Sequence, residues 1–242
     1  MESLLTLPIG DYRTVELTLR LTMTLIVMTA LLQILCISVV ARNYRLPLAL
    51  SGIALLGAAW FESGVWCAWK EAFELAGTSY CVTGHLLAGE DRIIAWSLGL
   101  PVIFVCFGML QLDPREKGFR NLCWTALGWA VLGPFFHFIS LLGFARCLVL
   151  FRRILTGHPE NQKGLRAVTT VAVVSIALSF IVTELAYFHL LPLGKSTQEI
   201  PVRGEIVHSL CDMLALVVPG MALLIGTLGI SGEHRQSAKR MA

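Results

Sequence analysis

The sequence has 242 residues, of which 56% are hydrophobic and only 14% are charged. A soluble domain usually has about 25% charged residues, so this composition excludes most soluble folds as well as a disordered chain. The net charge of +3 is too small to indicate a nucleic-acid-binding protein, and the sequence has no basic run interleaved with aromatic residues. The composition therefore predicts an integral membrane protein, provided that the apolar residues form segments long enough to cross a bilayer.

Seven apolar segments approach the roughly 20 residues that a spanning helix needs. The predicted helices lie near 15–40, 46–69, 91–112, 119–132, 135–155, 165–191 and 202–230. Only Gly133 and Pro134 separate the fourth segment from the fifth, so a six-helix alternative would join them into one long kinked helix. The sequence thus predicts an all-α, seven-transmembrane-helix bundle that forms one domain over residues 1–242.

Basic residues are distributed unequally between the two sides of this predicted bundle. If the N-terminus lies outside, twelve of the nineteen basic residues fall on the inner side. These are Arg42, Arg45, Arg115, Lys117, Arg120, Arg152, Arg153, Lys163, Arg166, Arg235, Lys239 and Arg240. The positive-inside rule then predicts an outside N-terminus, a cytoplasmic C-terminus and a multi-pass protein of the cell (inner) membrane.

Several ionisable residues lie inside the predicted spans, where an uncompensated charge is costly. Arg92 on the third helix and Asp212 on the seventh are predicted to form an ion pair. Glu205, His208 and Asp212 follow one another at steps of three or four residues, so they share one face of the seventh helix. A polar cluster, called the outer polar cluster, is predicted from Glu62, Glu184, Glu205 and His208. Such a cluster can fix the packing of the helices, which we favour, or it can belong to a functional path.

Arg146 is a further charged residue, alone in the middle of the fifth predicted helix. The sequence offers no neighbouring carboxylate within its own helix. A contact with another subunit, or a carboxylate across the bundle, would satisfy the guanidinium.

Three segments resemble the microbial (type 1) rhodopsin family. Residues 92–101 read RIIAWSLGLP, which is similar to the family pattern R-Y-x-D-W-x-x-T-x-P, and residues 212–216 read DMLAL, which is similar to D-x-x-A-K. On the second helix, SGI at 51–53 and GVW at 64–66 resemble a proteorhodopsin segment. The resemblance implies a rhodopsin-like fold in which Arg92, Trp96, Pro101 and Asp212 are retained pocket residues.

The sequence departs from this family at the groups that hold and balance the chromophore. The family attaches retinal as a Schiff base to the lysine of D-x-x-A-K, and Leu216 stands at that place. Ala95 stands at the counter-ion place of the third helix. The five lysines lie at span ends or outside the spans, at Lys70, Lys117, Lys163, Lys195 and Lys239. The resemblance therefore implies a scaffold without covalent retinal, similar to the lysine-less rhodopsin-like proteins of bacteria.

The expected function is that of a non-enzymatic binding, partner or regulatory protein, which assembles in the lipid bilayer with itself or with a retinal-bearing rhodopsin. One alternative is a sensor that binds an apolar ligand, either retinal or a carotenoid, without a covalent bond. Another alternative is a passive path for ions or protons through the outer polar cluster. The sequence has no metal-binding spacing and no catalytic motif, so no enzymatic activity is expected.

Overall fold

The computed structural model describes the backbone of residues 6–83, 89–113, 115–157, 163–187, 190 and 199–241. Within this part of the chain the helices confirm the predicted seven-helix bundle. Six of them are α1 (Ile9–Cys36), α2 (Arg45–Ala72), α3 (Gly89–Gln111), α4 (Lys117–Leu132), α5 (His137–Gly157) and α6 (Lys163–Tyr187). The seventh helix consists of α7 (Glu199–Asp212), a π-helical turn (Met213–Val217) and α8 (Val218–Met241).

The helix ends differ from the sequence prediction by up to about three turns, the largest difference being at the end of α8, which reaches Met241 rather than ending near residue 230. α1 begins at Ile9 rather than near residue 15, because the polar residues of its first turns are accommodated on exposed positions and by the ion pair between Glu16 and Arg20 at 3.1 Å. A turn at residues 133–136 separates α4 from α5. The two segments are therefore distinct helices, and the six-helix alternative does not apply.

Five helices in the described part of the chain are long and apolar enough to cross a membrane. They are Ile9–Cys36, Arg42–Ala72, Asp91–Gln111, Gly164–Ala186 and Val202–Gly232. α4 has only 16 residues, which corresponds to about 24 Å, and it packs between α3 and α5. The protein is thus a multi-pass membrane protein whose fourth helix is shorter than the roughly 30 Å hydrocarbon core of a bilayer.

A small sheet, which the sequence did not reveal, closes one end of the bundle. β2 (Phe73–Ala76) and β3 (Ser79–Val82) form an antiparallel hairpin, and β1 (Thr6–Pro8) pairs with β3 to give the order β1-β3-β2. Gly77 has a φ of +65° in the hairpin turn, a conformation that glycine adopts readily. The Tyr80 ring stacks on the ring of Tyr12 of α1, with the two ring centroids 3.7 Å apart. We call this end of the bundle the sheet end.

Candidate functional site

A buried carboxylate joins α3 to the seventh helix in the interior of the bundle. Arg92 and Trp96 are four residues apart on α3, so both side chains project from one helix face. Arg92 Nε donates to Oδ2 of Asp212 at 2.8 Å, and Trp96 Nε1 donates to Oδ1 of the same carboxylate at 2.7 Å. Asp212 is fully buried. The ion pair that the sequence predicted is therefore present, and both oxygens of Asp212 are bonded.

The same arginine also reaches a second acidic residue on the seventh helix. Arg92 Nη2 donates to Oε2 of Glu205 at 3.2 Å, two helical turns before Asp212. One guanidinium thus bridges two carboxylates of a single helix. This bridge fixes the rotation of the seventh helix relative to α3.

Glu62 on α2 adds a third carboxyl group to this region. It is 2% exposed, and neither of its carboxyl oxygens has a hydrogen-bond partner among the described residues. It is buried close to Asp212, Arg92 and Glu205, and Asp91 is also near. The site therefore holds three acidic groups around one arginine.

The two remaining members of the outer polar cluster occupy less buried positions. His208 is half-buried on α7, and its Nδ1 has no partner within the described part of the chain. Glu184 is half-buried near the end of α6. The bonds to Arg92 thus bring together Glu205 and Asp212 from the sequence-predicted residues, with Glu62 beside them.

Leu216 lies in the π-helical turn and faces the interior of the bundle, where it is fully buried. A Cβ atom on Gly99 of α3 would lie 3.0 Å from Cδ2 of Leu216 and 3.7 Å from Cβ of Ala58. The missing side chain at Gly99 therefore allows the leucine to approach α3 closely. Ala95, one turn before Gly99, is also fully buried, so the centre of the bundle is apolar at both places.

The π-helical turn is a local irregularity that sequence reasoning missed. The N–H of Val218 donates to the carbonyl of Met213, five residues earlier, and Pro219 follows directly. Proline has no N–H and cannot continue the hydrogen-bond ladder. Gln33 of α1 donates through Nε2 to the carbonyl of Gly220 at 2.7 Å. The sequence signal for this contact is the polar amide of Gln33 within the apolar second half of α1.

An aromatic cluster extends from the bonded tryptophan across three further helices. Trp96 lies 5.6 Å from Phe180 of α6, and Phe180 stacks on Phe144 of α5 with ring centroids 4.1 Å apart and an interplanar angle of 8°. Phe144 in turn contacts Trp129 of α4 at 6.1 Å. A flat molecule between two rings needs about 7 Å, at roughly 3.5 Å for each contact. The rings of Trp96 and Phe180 are closer together than that.

Solved structures with this helix arrangement were found by structural comparison. Xanthorhodopsin, described as a light-driven ion pump with dual chromophore, superimposes with a TM-score of 0.76 at 18% identity, over 96% of this chain and 99% of that chain. The fold is that of the microbial rhodopsins. A thermophilic rhodopsin superimposes with a TM-score of 0.74 at 20% identity, over 96% of this chain and 99% of that chain. The rhodopsin of Exiguobacterium sibiricum superimposes with a TM-score of 0.63 at 14% identity, over 93% of this chain and 99% of that chain. No protein-family model matches the sequence, and no curated protein matches it either.

The microbial rhodopsin fold places Arg92, Trp96, Asp212 and Leu216 in the interior of the bundle between α3 and the seventh helix. Pro101 is buried further along α3. Among the described residues no group of three His, Cys, Asp or Glu side chains is arranged to hold a metal ion. The chemistry available at this site is therefore ion pairing and hydrogen bonding around Asp212.

Proposed function

We propose that this chain is a cell-membrane protein of the microbial rhodopsin fold that carries no covalent retinal and acts by binding a partner protein. The observation that supports this proposal most directly is the environment of Leu216. Its hydrocarbon side chain occupies the interior one turn after Asp212 and packs toward Gly99. A Schiff base requires a primary amine, which leucine cannot provide.

The positions of the lysines also support the absence of a covalent chromophore. Lys70 lies in the last turn of α2, and Lys117 and Lys163 are the first residues of α4 and α6. Lys239 lies near the end of α8, and Lys195 falls outside the described residues. Retinal as the family binds it therefore does not fit the residues of this chain.

The charges of the interior favour a fixed ion pair over a transport site. Without a protonated Schiff base no cation stands opposite Ala95, and a carboxylate there would be buried and unpaired. Asp212 already accepts bonds from Arg92 and Trp96 on its two oxygens. These bonds hold α3 against the seventh helix, as interhelical hydrogen bonds do within membranes.

The two alternative functions receive less support from the same geometry. A ligand bound without a covalent bond, whether retinal or a carotenoid, would have to part Trp96 from Phe180, which stand 5.6 Å apart. A passive ion path would have to cross the apolar middle of the bundle before it reached the Gln111–Thr169 hydrogen bond of 2.5 Å. That middle contains the fully buried residues Ala95, Leu100, Ile103 and Leu216. We propose no enzymatic activity for this chain.

Retinal addition tests the proposal. We expect the purified full-length chain, mixed with all-trans-retinal, to form no borohydride-fixable adduct and no visible absorbance band. We also expect no light-driven proton flux from vesicles that contain it, whereas a retinal-bearing rhodopsin prepared in parallel gives all three signals. A covalent pigment or light-driven flux would contradict the proposal. The binding role predicts a complex larger than a single 26.6 kDa chain when the protein is extracted in membrane discs without detergent, and a strict monomer would contradict that part.

A further inference from the structure

A single arginine lies on the exposed face of α5. Arg146 is exposed, as are Phe138, Leu142 and Val149 on the same side of the helix. These residues follow at intervals of three or four positions, so they form one stripe. The exposed face of α5 is thus apolar above and below one guanidinium.

The position of Arg146 places that guanidinium within the apolar part of α5. It follows His137 by nine residues and precedes Arg152, which the charge distribution predicts on the inner side, by six, which corresponds to about 14 Å and about 9 Å along the helix. Within the described part of the chain, Arg20 and Arg92 form salt bridges with acidic residues, and no salt bridge is found for Arg146. A charge at this depth is strongly unfavourable unless it meets an anion or a polar partner.

The neighbouring helix α4 also exposes large apolar residues. Gly143 of α5 packs on Trp129 of α4, since a Cβ at the glycine would lie 2.7 Å from the tryptophan Cβ. The two helices are antiparallel neighbours, so Arg146 lies at the depth of the α4 residues between Trp124 and Leu127. Trp124 is 73% exposed. Arginine and tryptophan are the residue types most enriched where binding energy concentrates.

We propose that the α4/α5 face docks a transmembrane helix of another protein, and that this helix carries a carboxylate at the depth of Arg146 to pair with it. The face is defined by Trp124, Leu127, Leu142, Arg146 and Val149. The proposal rests on the proposed function, in which the chain acts through a partner. The short span of α4 agrees with it, because association is one way in which a membrane accommodates a helix shorter than its hydrocarbon core.

Charge complementarity selects this occupant over a second copy of the chain. Among the described residues, the exposed carboxylates lie at helix ends or in connections, at Asp11, Glu71, Glu74, Asp113 and Glu116. None of them reaches the depth of Arg146, so a homodimer would leave the guanidinium without an anion. Lipid phosphates lie at the membrane surfaces, so the arginine stem would have to extend along the helix toward the inner surface to reach one, and the test below separates that case.

The test measures the association of the full-length chain with polyleucine helices of 21 residues whose central residue is Glu, Gln or Leu. Chain and peptide carry a fluorescence donor and acceptor in phosphatidylcholine vesicles. We expect the Glu peptide to associate about tenfold more tightly than the Leu peptide, as one charged interhelical hydrogen bond allows. Arg146→Leu should abolish this preference. Arg20→Leu, which removes an exposed arginine from α1, should leave it unchanged, and intrinsic tryptophan fluorescence checks that each variant is folded.

Four outcomes would overturn the proposal. The preference for the Glu peptide is absent in the unaltered chain, or it persists in Arg146→Leu. Alternatively, chain–chain energy transfer depends on Arg146, which would make a second copy the occupant, or added phosphatidylglycerol removes the preference, which would make an anionic lipid headgroup the occupant. The retinal and proton-flux measurements of the proposed function do not depend on the outcome of these peptide-association measurements. A failure of the proposed function therefore appears as pigment or flux, and a failure of the docking site as a lost Glu preference.

Discussion

Arg92 and Asp212 form a buried ion pair, with 2.8 Å between Nε and Oδ2, that links the third helix to the seventh. Trp96 binds the second oxygen of the carboxylate, so Asp212 has no unpaired acceptor oxygen at the centre of the bundle. In this arrangement the acidic residue stabilises two helices against each other. The pair therefore accounts for a buried aspartate in the bundle interior, one turn from the apolar Leu216.

Removal of Arg92 is expected to be the most damaging single change in the interior. Arg92→Met leaves the buried Asp212 and the part-exposed Glu205 without a cation, which costs about 3–5 kcal/mol of unfolding free energy for a buried pair that loses one partner. Denaturant unfolding in detergent micelles, followed by tryptophan fluorescence, measures this loss. Arg20→Met removes an exposed ion pair with Glu16 and is expected to cost roughly 0–1 kcal/mol. Equal losses in the two variants would show that the interior pair contributes no more than a surface pair.

Substitution of Glu62 is expected to affect the unfolding free energy far less than the loss of Arg92. The carboxyl oxygens of Glu62 are buried without a described partner, close to Asp212 and Glu205. Glu62→Gln keeps the shape of the side chain and replaces a buried carboxyl group by an uncharged amide, so we expect the unfolding free energy to change by less than about 1 kcal/mol. The same unfolding measurement applies, with the part-exposed Glu16→Gln as the matched control. A marked loss of stability in Glu62→Gln would mean that the carboxylate is held by a bond that its amide cannot make.

The fold and the ion pair were accessible from the sequence for identifiable reasons. Long apolar segments give the helices, and Arg92 and Asp212 stand out because a charge within a span must find a partner. The hairpin at Phe73–Ala76 and Ser79–Val82 was not predicted, because short strands between apolar helices leave little periodic signal. It depends instead on long-range contacts, such as the stacking of Tyr80 on Tyr12.

Details of the candidate site depended on packing that the sequence does not encode locally. The sequence motif places Leu216 on the seventh helix, but only the structure gives its approach to Gly99 and the π-helical turn around it. The stacking of Phe144 on Phe180 joins residues of two helices with no shared motif. The exposure of Arg146 was also open from the sequence, which allowed either a carboxylate across the bundle or a contact outside it.

Gly99 and Leu216 are expected to be energetically coupled. Gly99→Ala adds a methyl group 3.0 Å from Cδ2 of Leu216 and should destabilise the fold by about 1–3 kcal/mol, as overpacking does. Leu216→Ala alone should cost about 2–5 kcal/mol because it leaves a cavity. In the double variant the added methyl partly fills that cavity, so the loss should be smaller than the sum by about 0.5–3 kcal/mol. Additive losses in this double-mutant cycle would show that the two side chains do not meet.

Reintroduction of the missing chemistry should require space as well as an amine. Leu216→Lys with Ala95→Asp supplies the amine and a nearby carboxylate, yet Trp96 and Phe180 remain 5.6 Å apart. We expect this double variant with all-trans-retinal to give little visible pigment. A third substitution, Phe180→Ala, opens room beside Trp96 and should raise the pigment yield at least several-fold. The yield is measured as the visible absorbance that borohydride removes. Phe151→Ala, which removes a buried ring elsewhere in the core, should not produce that gain. A strongly coloured double variant would show instead that the aromatic cluster yields to the ligand without further change.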